Sequence, residues 1–373
     1  MKRIKPPEPG VFITIEVKKR AKMGKIRFAN KLIGKGKPCF IIAEAGVNHN
    51  GDINLAKKLV DVAKEAGADA VKFQTFKAEE VVIRNAAKAA YQKETTPPEE
   101  SQYDMLRKLE LSKDDFADLF AYAQEQGILF LSSPFDVGSV DLLSELGVSA
   151  FKIPSGEITN QPLLKHIARK RKPIILSTGM ATREEVGEAL EVIKQEGTDD
   201  IILLHCVSSY PAKIEDMNLK AMETLENSFQ LPVGLSDHST GITIPIAAVA
   251  LGACVIEKHF TLDRKLPGPD HRASLEPDEL KQMVTAIRDV ERAMGNGVKR
   301  PTRDEEENKK VVRRSIVAKV DIPQETIITE GMLDIRRPGT GLEPKYLGKI
   351  IGRTAEATIK KDEIITISKL RGK

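Results

Sequence analysis

Two short apolar runs carry their ionisable residues at the same end. In "VIEKHF" (255–260) an aliphatic start gives way to Glu257, Lys258 and His259, and in "LPVGLSDHSTG" (231–241) a similar run ends in Ser236, Asp237 and His238. If both runs are neighbouring parallel strands, about 4.8 Å apart, His238 and His259 can share one divalent cation. Two neutral imidazoles leave positions open for water and substrate, which suits a Lewis acid. A single histidine at a strand end is more often only hydrogen-bonded; the pair, with Asp237 and Glu257 beside it, favours a metal. Manganese is the first expectation, with magnesium, cobalt or zinc as alternatives.

The same pattern recurs along the chain. Six further apolar runs end in Glu44, in Lys72 and Gln74, in Ser132 and Ser133, in Lys152, Ser155 and Glu157, in Ser177, and in His205. Lysines brought together in a closed space are costly unless an anion satisfies them. A phosphate or carboxylate would do so, with Ser155, Ser177 and Ser236 as neutral donors. Two other readings stand beside this one: Lys72 and Lys152 paired with Glu44 and Glu157, or one lysine acting as a Schiff-base nucleophile. Glu44, in "AEAGVNHNGD", suits a general acid or base, or a holder of a substrate hydroxyl. The tail "VNHNGD" reads as a tight turn and helix cap, giving His49 a structural role as well as a place near the site. The long loop "TLDRKLPGPDHRASLEPDEL" (261–280), with Asp263, Asp270 and His271, is a candidate for substrate contacts.

What must position these groups is a fold that aims every strand end the same way. From residue 39 to about 295, eight apolar runs alternate with amphipathic segments of helical spacing such as "INLAKKLVDVAKEAGA" (53–68) and "TREEVGEALEVIKQEG" (182–197). That count and size predict a (β/α)8 TIM barrel, whose site lies at the C-terminal ends of its strands. An open doubly wound sheet is the alternative, but no Gly-rich dinucleotide fingerprint is present. "KIRFANKLIG" (25–34) reads as a strand pair plugging the closed end, so the barrel domain spans 25–295. Residues 1–24 have no structural assignment, and Met23 is an alternative start. The charged stretch 296–312 reads as a linker. The remainder, 313–373, reads as a small β-rich domain with one short helix near 344–349, too small to be stable without packing on something larger.

Composition bounds the partners. The net charge of +4, from 58 basic and 54 acidic residues, implies neither a nucleic-acid nor a membrane partner. Cys39, Cys206 and Cys254 sit in apolar runs without framework spacing, which points to a reducing compartment. No apolar run has the length of a membrane span, and the N-terminus lacks a signal-peptide cleavage site. The expected location is the cytoplasm.

Taken in order, "IIAEAGVNHNGD", "AVKFQTF", "FKIPSGE", "ILSTGM", "LHCVSSYP", "GLSDHSTG", "VIEKHFTLDR" and "GPDHRASLEP" closely resemble the sialic acid synthases, including the legionaminate and pseudaminate synthases. "IRRPGTGLEPKYLGKIIGR" resembles their C-terminal antifreeze-like (SAF) domain. The resemblance implies condensation of phosphoenolpyruvate with the open-chain aldehyde of N-acetylmannosamine or a 2,4-diacetamido-6-deoxy-mannose, giving a nonulosonic acid and phosphate. It places the metal on His238 and His259. Phosphoenolpyruvate contacts fall on Lys72, Gln74, Lys152, Ser155, Ser177, Ser208 and Ser236, and sugar contacts on Glu44, Tyr210 and Asp270. Glu157 falls near the reacting centre, so Glu44 or Glu157 would move protons. The resemblance also implies a domain-swapped homodimer in which Arg337, next to Arg336, reaches the partner's sugar. Ser208 stands where some relatives carry Asn, which leans away from the pseudaminate branch. Rival readings are a barrel condensing phosphoenolpyruvate with an aldose phosphate, a metal aldolase, and a non-enzymatic carbohydrate-binding module.

Overall fold

The computed structural model describes residues 24–29 and 31–372, so the N-terminal extension lies outside the described residues except for Gly24. The chain divides into two units, Met1–Gly295 and Asn296–Lys373.

In the first unit a hairpin, β1 (Ile26–Phe28) and β2 (Lys31–Ile33), precedes eight parallel strands. These are β3 (Phe40–Gly46), β4 (Ala70–Thr75), β5 (Leu129–Pro134), β6 (Phe151–Ile153), β7 (Ile174–Ser177), β8 (Ile201–Cys206), β9 (Val233–Asp237) and β10 (Val255–His259). The hydrogen-bonded order is β5-β4-β3-β10-β9-β8-β7-β6, and β5 lies alongside β6, so the sheet closes. Each strand is followed by a helix, from Ile53–Glu65 to Pro277–Ala293. The expected (β/α)8 barrel is present.

The alternation of side chains in a strand explains how these sequences close. One parity, including Ile42, Ala70, Leu131, Ile175, Ile202 and Val255, fills the barrel interior, and Ile26 and Ile33 of the hairpin join that cluster from the N-terminal end. The other parity, including Ile41, Val71, Phe130, Leu203 and Ile256, packs under the helices. The plug expected of 25–34 is therefore in place.

The turn after β3 forms as its sequence requires. Asp52 caps the next helix, accepting from the Asn54 N–H at 2.7 Å, and buried His49 accepts the Gly51 N–H on Nδ1 at 3.0 Å. Burial lowers the His49 pKa from 6.5 to about 4. The folded state thus holds His49 neutral while the unfolded chain protonates it near 6.5. Its contribution is complete above about pH 6.5 and is lost as pH falls towards 4, by at most roughly 3 kcal/mol. His49→Asn keeps an acceptor for Gly51 and removes the titration. The variant's melting temperature should fall less steeply than the wild type's between pH 6.5 and 4.

The sequence reading leaves 77–112 without structure. The structure folds this segment, between β4 and β5, into three short helices, Ala78–Val81, Ala90–Thr95 and Gln102–Leu109. Buried Lys88 staples it internally, donating to Thr96 Oγ1 at 2.7 Å and to the Pro97 carbonyl, with Glu100 at 3.7 Å.

In the second unit, β11 (Ser315–Ala318) pairs antiparallel with β12 (Leu333–Arg336), and β13 (Thr354–Ala355) with β14 (Leu370–Arg371). Ile316, Ile322, Ile328, Ile359 and Ile365 form its small core. A short helix covers Leu347–Ile350, close to where one was expected. The stretch read as a linker, 296–312, instead contains the helix Arg303–Val312, which buries no residue. A Thr302/Glu305 capping box starts it, and the pairs Glu306–Lys309 (2.7 Å) and Glu307–Lys310 (2.9 Å) support it. Acidic residues in its first turn and lysines in its last complement the helix dipole. Local electrostatics rather than an apolar face makes this helix, so hydrophobic periodicity does not reveal it.

Candidate active site

At the C-terminal mouth of the barrel is a cavity of about 480 Å³. Its lining includes Glu44, Lys72, Gln74, Lys152, Ser155, Ser177, Ser208, Tyr210, Ser236, His238, His259 and Asp270. Of the residues named for the barrel as catalytic, substrate-binding or metal-binding, all but Glu157 line this cavity. That residue sits in a turn beyond β6 outside the lining, and its Oε2 accepts from Asn160 Nδ2 at 2.7 Å. Parity explains the convergence. Glu44, Lys72, Gln74, Ser133, Lys152, Ser177, Ser236, Glu257 and His259 continue the inward-facing series. Ser132 and His205 have the outward parity and turn away, Ser132 Oγ bonding to Thr75 Oγ1 at 2.6 Å and His205 Nε2–H to the Met217 carbonyl at 2.8 Å.

The polar groups form one buried network. Lys72 Nζ lies 2.6 Å from Glu44, 3.6 Å from Glu257 and 3.0 Å from Ser133 Oγ. Lys152 Nζ lies 3.4 Å from Glu257, which also accepts a 2.8 Å bond from Ser236 Oγ. Burial lowers the Lys152 pKa. It also works against the charge on Lys72, but Glu257 and Glu44 outweigh it and raise that pKa. Burial would raise Glu257 too, yet Lys152 and Lys72 bring it below its ordinary value, whereas for Glu44 burial prevails and the pKa rises. Ser177 Oγ is buried with no hydrogen-bond partner among the described residues. Two lysines and the Ser177 hydroxyl facing one cavity are groups that an anion would satisfy.

The two histidines stand on the same wall, ring centroids 5.5 Å apart. His238 Nδ1 lies 2.8 Å from the Val207 carbonyl, so it carries a proton. Burial disfavours the charged ring, but Cys206 and that carbonyl outweigh it and raise the pKa, and a cation would take Nε2 in place of the second proton. His259 is kept neutral by burial, and its Nδ1 has no hydrogen-bond partner among the described residues. This donor set fits a divalent cation that takes its other ligands from water and substrate; among the described residues no group of three or more His, Cys, Asp and Glu forms a closed site. On the outward face Lys258 joins Asp237 at 2.6 Å and the Ser239 carbonyl, bolting the ends of β9 and β10 together behind the histidines. Tyr210 lies against His238 (centroids 4.1 Å) and stacks on Tyr91 of the segment after β4 (5.0 Å). Asp270 closes the rim, its pKa raised by burial to about 6.

Several site residues escape the sequence reading of roles. Glu257 is noticed but given no task, although it shares the inward parity of His259. Tyr91, Met105 and Leu106 belong to the segment whose signal is only its length, the 52-residue gap from Lys77 to Ile128. Gly179 has no signal beyond being glycine. A Cβ there would overlap Ser208 Oγ and come within 2.8 Å of Ser155 Oγ, while its N–H donates to Ser155 Oγ at 2.9 Å. Gly179→Ala should displace both serines and reduce kcat/KM by roughly 10- to 100-fold at nearly unchanged melting temperature, as steady-state kinetics will show. Arg337 belongs to the second unit and is exposed. Its neighbour Arg336 is held by Asp334 (2.8 Å) and Asp362 (2.7 Å), whereas Arg337 has no ion pair among the described residues.

A (β/α)8 barrel whose mouth gathers two lysines, two histidines and three carboxylates, followed in sequence by a small β domain, has the layout of a barrel enzyme, and comparison with known proteins narrows it. The model described as "NeuB family" matches residues 59–299, and that described as "SAF domain" matches 313–371. The N,N'-diacetyllegionaminic acid synthase of Campylobacter jejuni is 53% identical over 88% of this chain and 99% of its own length. The synthase of the same name from Legionella pneumophila is 52% identical over 86% of this chain and 91% of its own. The N-acetylneuraminic acid synthetase of Leptospira borgpetersenii, solved with citrate, superposes with a TM-score of 0.68 at 40% identity, covering 77% of this chain and 95% of that one. The chain belongs to the NeuB family and is an enzyme of the sialic and legionaminic acid synthase type.

Proposed function

We propose that this enzyme condenses phosphoenolpyruvate with the open-chain aldehyde of a 2,4-diacetamido-6-deoxy-mannose, giving a nonulosonic acid of the legionaminate type and phosphate. The observation that carries the reading is the convergence of Lys72, Lys152 and Ser177 on one cavity beside His238 and His259. The choice of sugar is supported by the relatives above half identity, both named for the diacetyl acid, against 40% for the N-acetylneuraminic acid synthetase.

In this reading Lys152 and Lys72 hold the carboxylate and phosphate, and Ser155, Ser177, Ser208 and Ser236 supply neutral donors around them. Glu257 keeps the two lysines at the floor of the site. The alkene carbon attacks the aldehyde carbon, water adds to the resulting oxocarbenium carbon, and phosphate departs by C–O cleavage. Glu44, protonated more readily than an exposed carboxyl because it is buried, gives a proton to the aldehyde oxygen and recovers one from the attacking water. Glu157 has no part in this. Manganese bound through His238 and His259 would supply Lewis acidity towards the aldehyde oxygen. Tyr210 and Asp270 face the sugar. A low lysine pKa would also serve a Schiff base, but the family membership supports anion binding, in which the substrate anion shares the lysines with Glu44 and Glu257. For the second unit, the unpaired state of Arg337 supports its role in a domain-swapped homodimer, offering its guanidinium to a partner's sugar. The three free, buried cysteines are compatible with a cytoplasmic enzyme.

The test is phosphate release from phosphoenolpyruvate with manganese, comparing N-acetylmannosamine with its 2,4-diacetamido-6-deoxy analogue. Release should require a sugar, stop with chelator and favour the diacetamido sugar. Release only with a phosphorylated aldose would replace this reading by its rival.

A further inference from the structure

The cavity has a second wall, and it is not charged. Val81, Met105, Leu106 and Leu109 from the segment after β4 meet Phe76 and Phe135 from the mouths of β4 and β5. The two phenyl rings pack edge to face, 6.1 Å apart. These residues form an apolar cluster separate from both barrel cores. Met105 and Leu109 are buried within it, while Val81, Leu106 and Phe135 are only half-buried and line the cavity. Gln102 lines the cavity on the same segment, its amide without a side-chain partner among the described residues.

We infer that this wall receives the methyl-bearing end of the sugar, and that the segment 77–112, rather than the barrel, sets the preference for a 6-deoxy, 4-acetamido sugar over one with hydroxyls at both positions. The inference rests on the proposed condensation and adds what selects its substrate. A hydroxyl pressed against Val81 and Leu106 would lose its water without gaining a partner, whereas a methyl gains contact there. Gln102 offers an amide to the acyl group of the same end. The reacting aldehyde is the opposite end of an open-chain sugar and belongs with the histidines, so one extended molecule meets both walls.

The experiment measures phosphate release by the full-length wild type, Val81→Thr and Leu106→Gln with each of the two sugars. Val81→Thr is nearly isosteric and adds only polarity. The wild type should prefer the diacetamido sugar, and each variant should reduce the ratio of the two kcat/KM values about tenfold or more. The KM for phosphoenolpyruvate and the melting temperature should stay unchanged. An unchanged ratio in both variants, or a wild type that prefers N-acetylmannosamine, overturns the inference while leaving the condensation standing. A wild type that releases phosphate with neither sugar overturns the proposed condensation itself, and this inference with it.

Discussion

Lys152→Met is expected to lower kcat/KM for phosphoenolpyruvate by about a thousandfold while the protein stays folded. Lys152 is almost fully buried, and its single carboxylate neighbour, Glu257, stands 3.4 Å away. An anion entering the mouth completes that half-made pairing. Removing the ammonium leaves the anion buried without its partner, a loss of about 4 kcal/mol. Glu257 keeps Lys72 at 3.6 Å and Ser236 at 2.8 Å, and methionine fills the space of the lysine stem, so the melting temperature should change little. Borohydride treatment of the wild type with substrate should leave the protein mass unaltered. A reduced adduct that disappears in Lys152→Met would mean that the lysine is a nucleophile and that the anion reading is wrong.

The second large effect is expected at His259. His259→Ala removes one of the two proposed metal donors, and among the described residues no group of three or more His, Cys, Asp and Glu is placed to replace it. Stoichiometric manganese should be lost on dialysis, and turnover should fall by about a thousandfold or more. The neighbouring bridge from Lys258 to Asp237 lies on the opposite face of the strand, so the fold should survive, as circular dichroism can establish. Undiminished stoichiometric metal in the His238→Ala, His259→Ala double variant would remove the two-histidine centre from the proposal.

The barrel was legible because its two signals agree. Apolar runs of strand length alternate with helical periodicity, and the runs turn polar at one end only. The candidate site was legible to the extent that side-chain parity was. Lys72, Lys152, Ser177 and His259 are inward positions at strand ends, while Ser132 and His205 look the same in sequence and face the helices. Counting back from each polar residue to the last interior aliphatic separates the two groups. Glu157 lies past the end of β6, where that counting no longer applies, and its removal from the site is a matter of turn geometry. Gly179 acts by lacking a side chain, and the segment after β4 has helices too short for a periodic signal.

The close contact between Lys72 and Glu44 has a thermochemical consequence. Before substrate arrives, the positive charge of Lys72 is shared with Glu44 at 2.6 Å, and Glu44 already holds its proton more tightly than an exposed carboxyl. An incoming anion draws on that charge and adds its own negative field, and both raise the affinity of Glu44 for a proton. Binding and proton uptake are then linked. The apparent enthalpy of phosphoenolpyruvate binding should vary with the ionisation enthalpy of the buffer, and its affinity should weaken as the solution becomes alkaline.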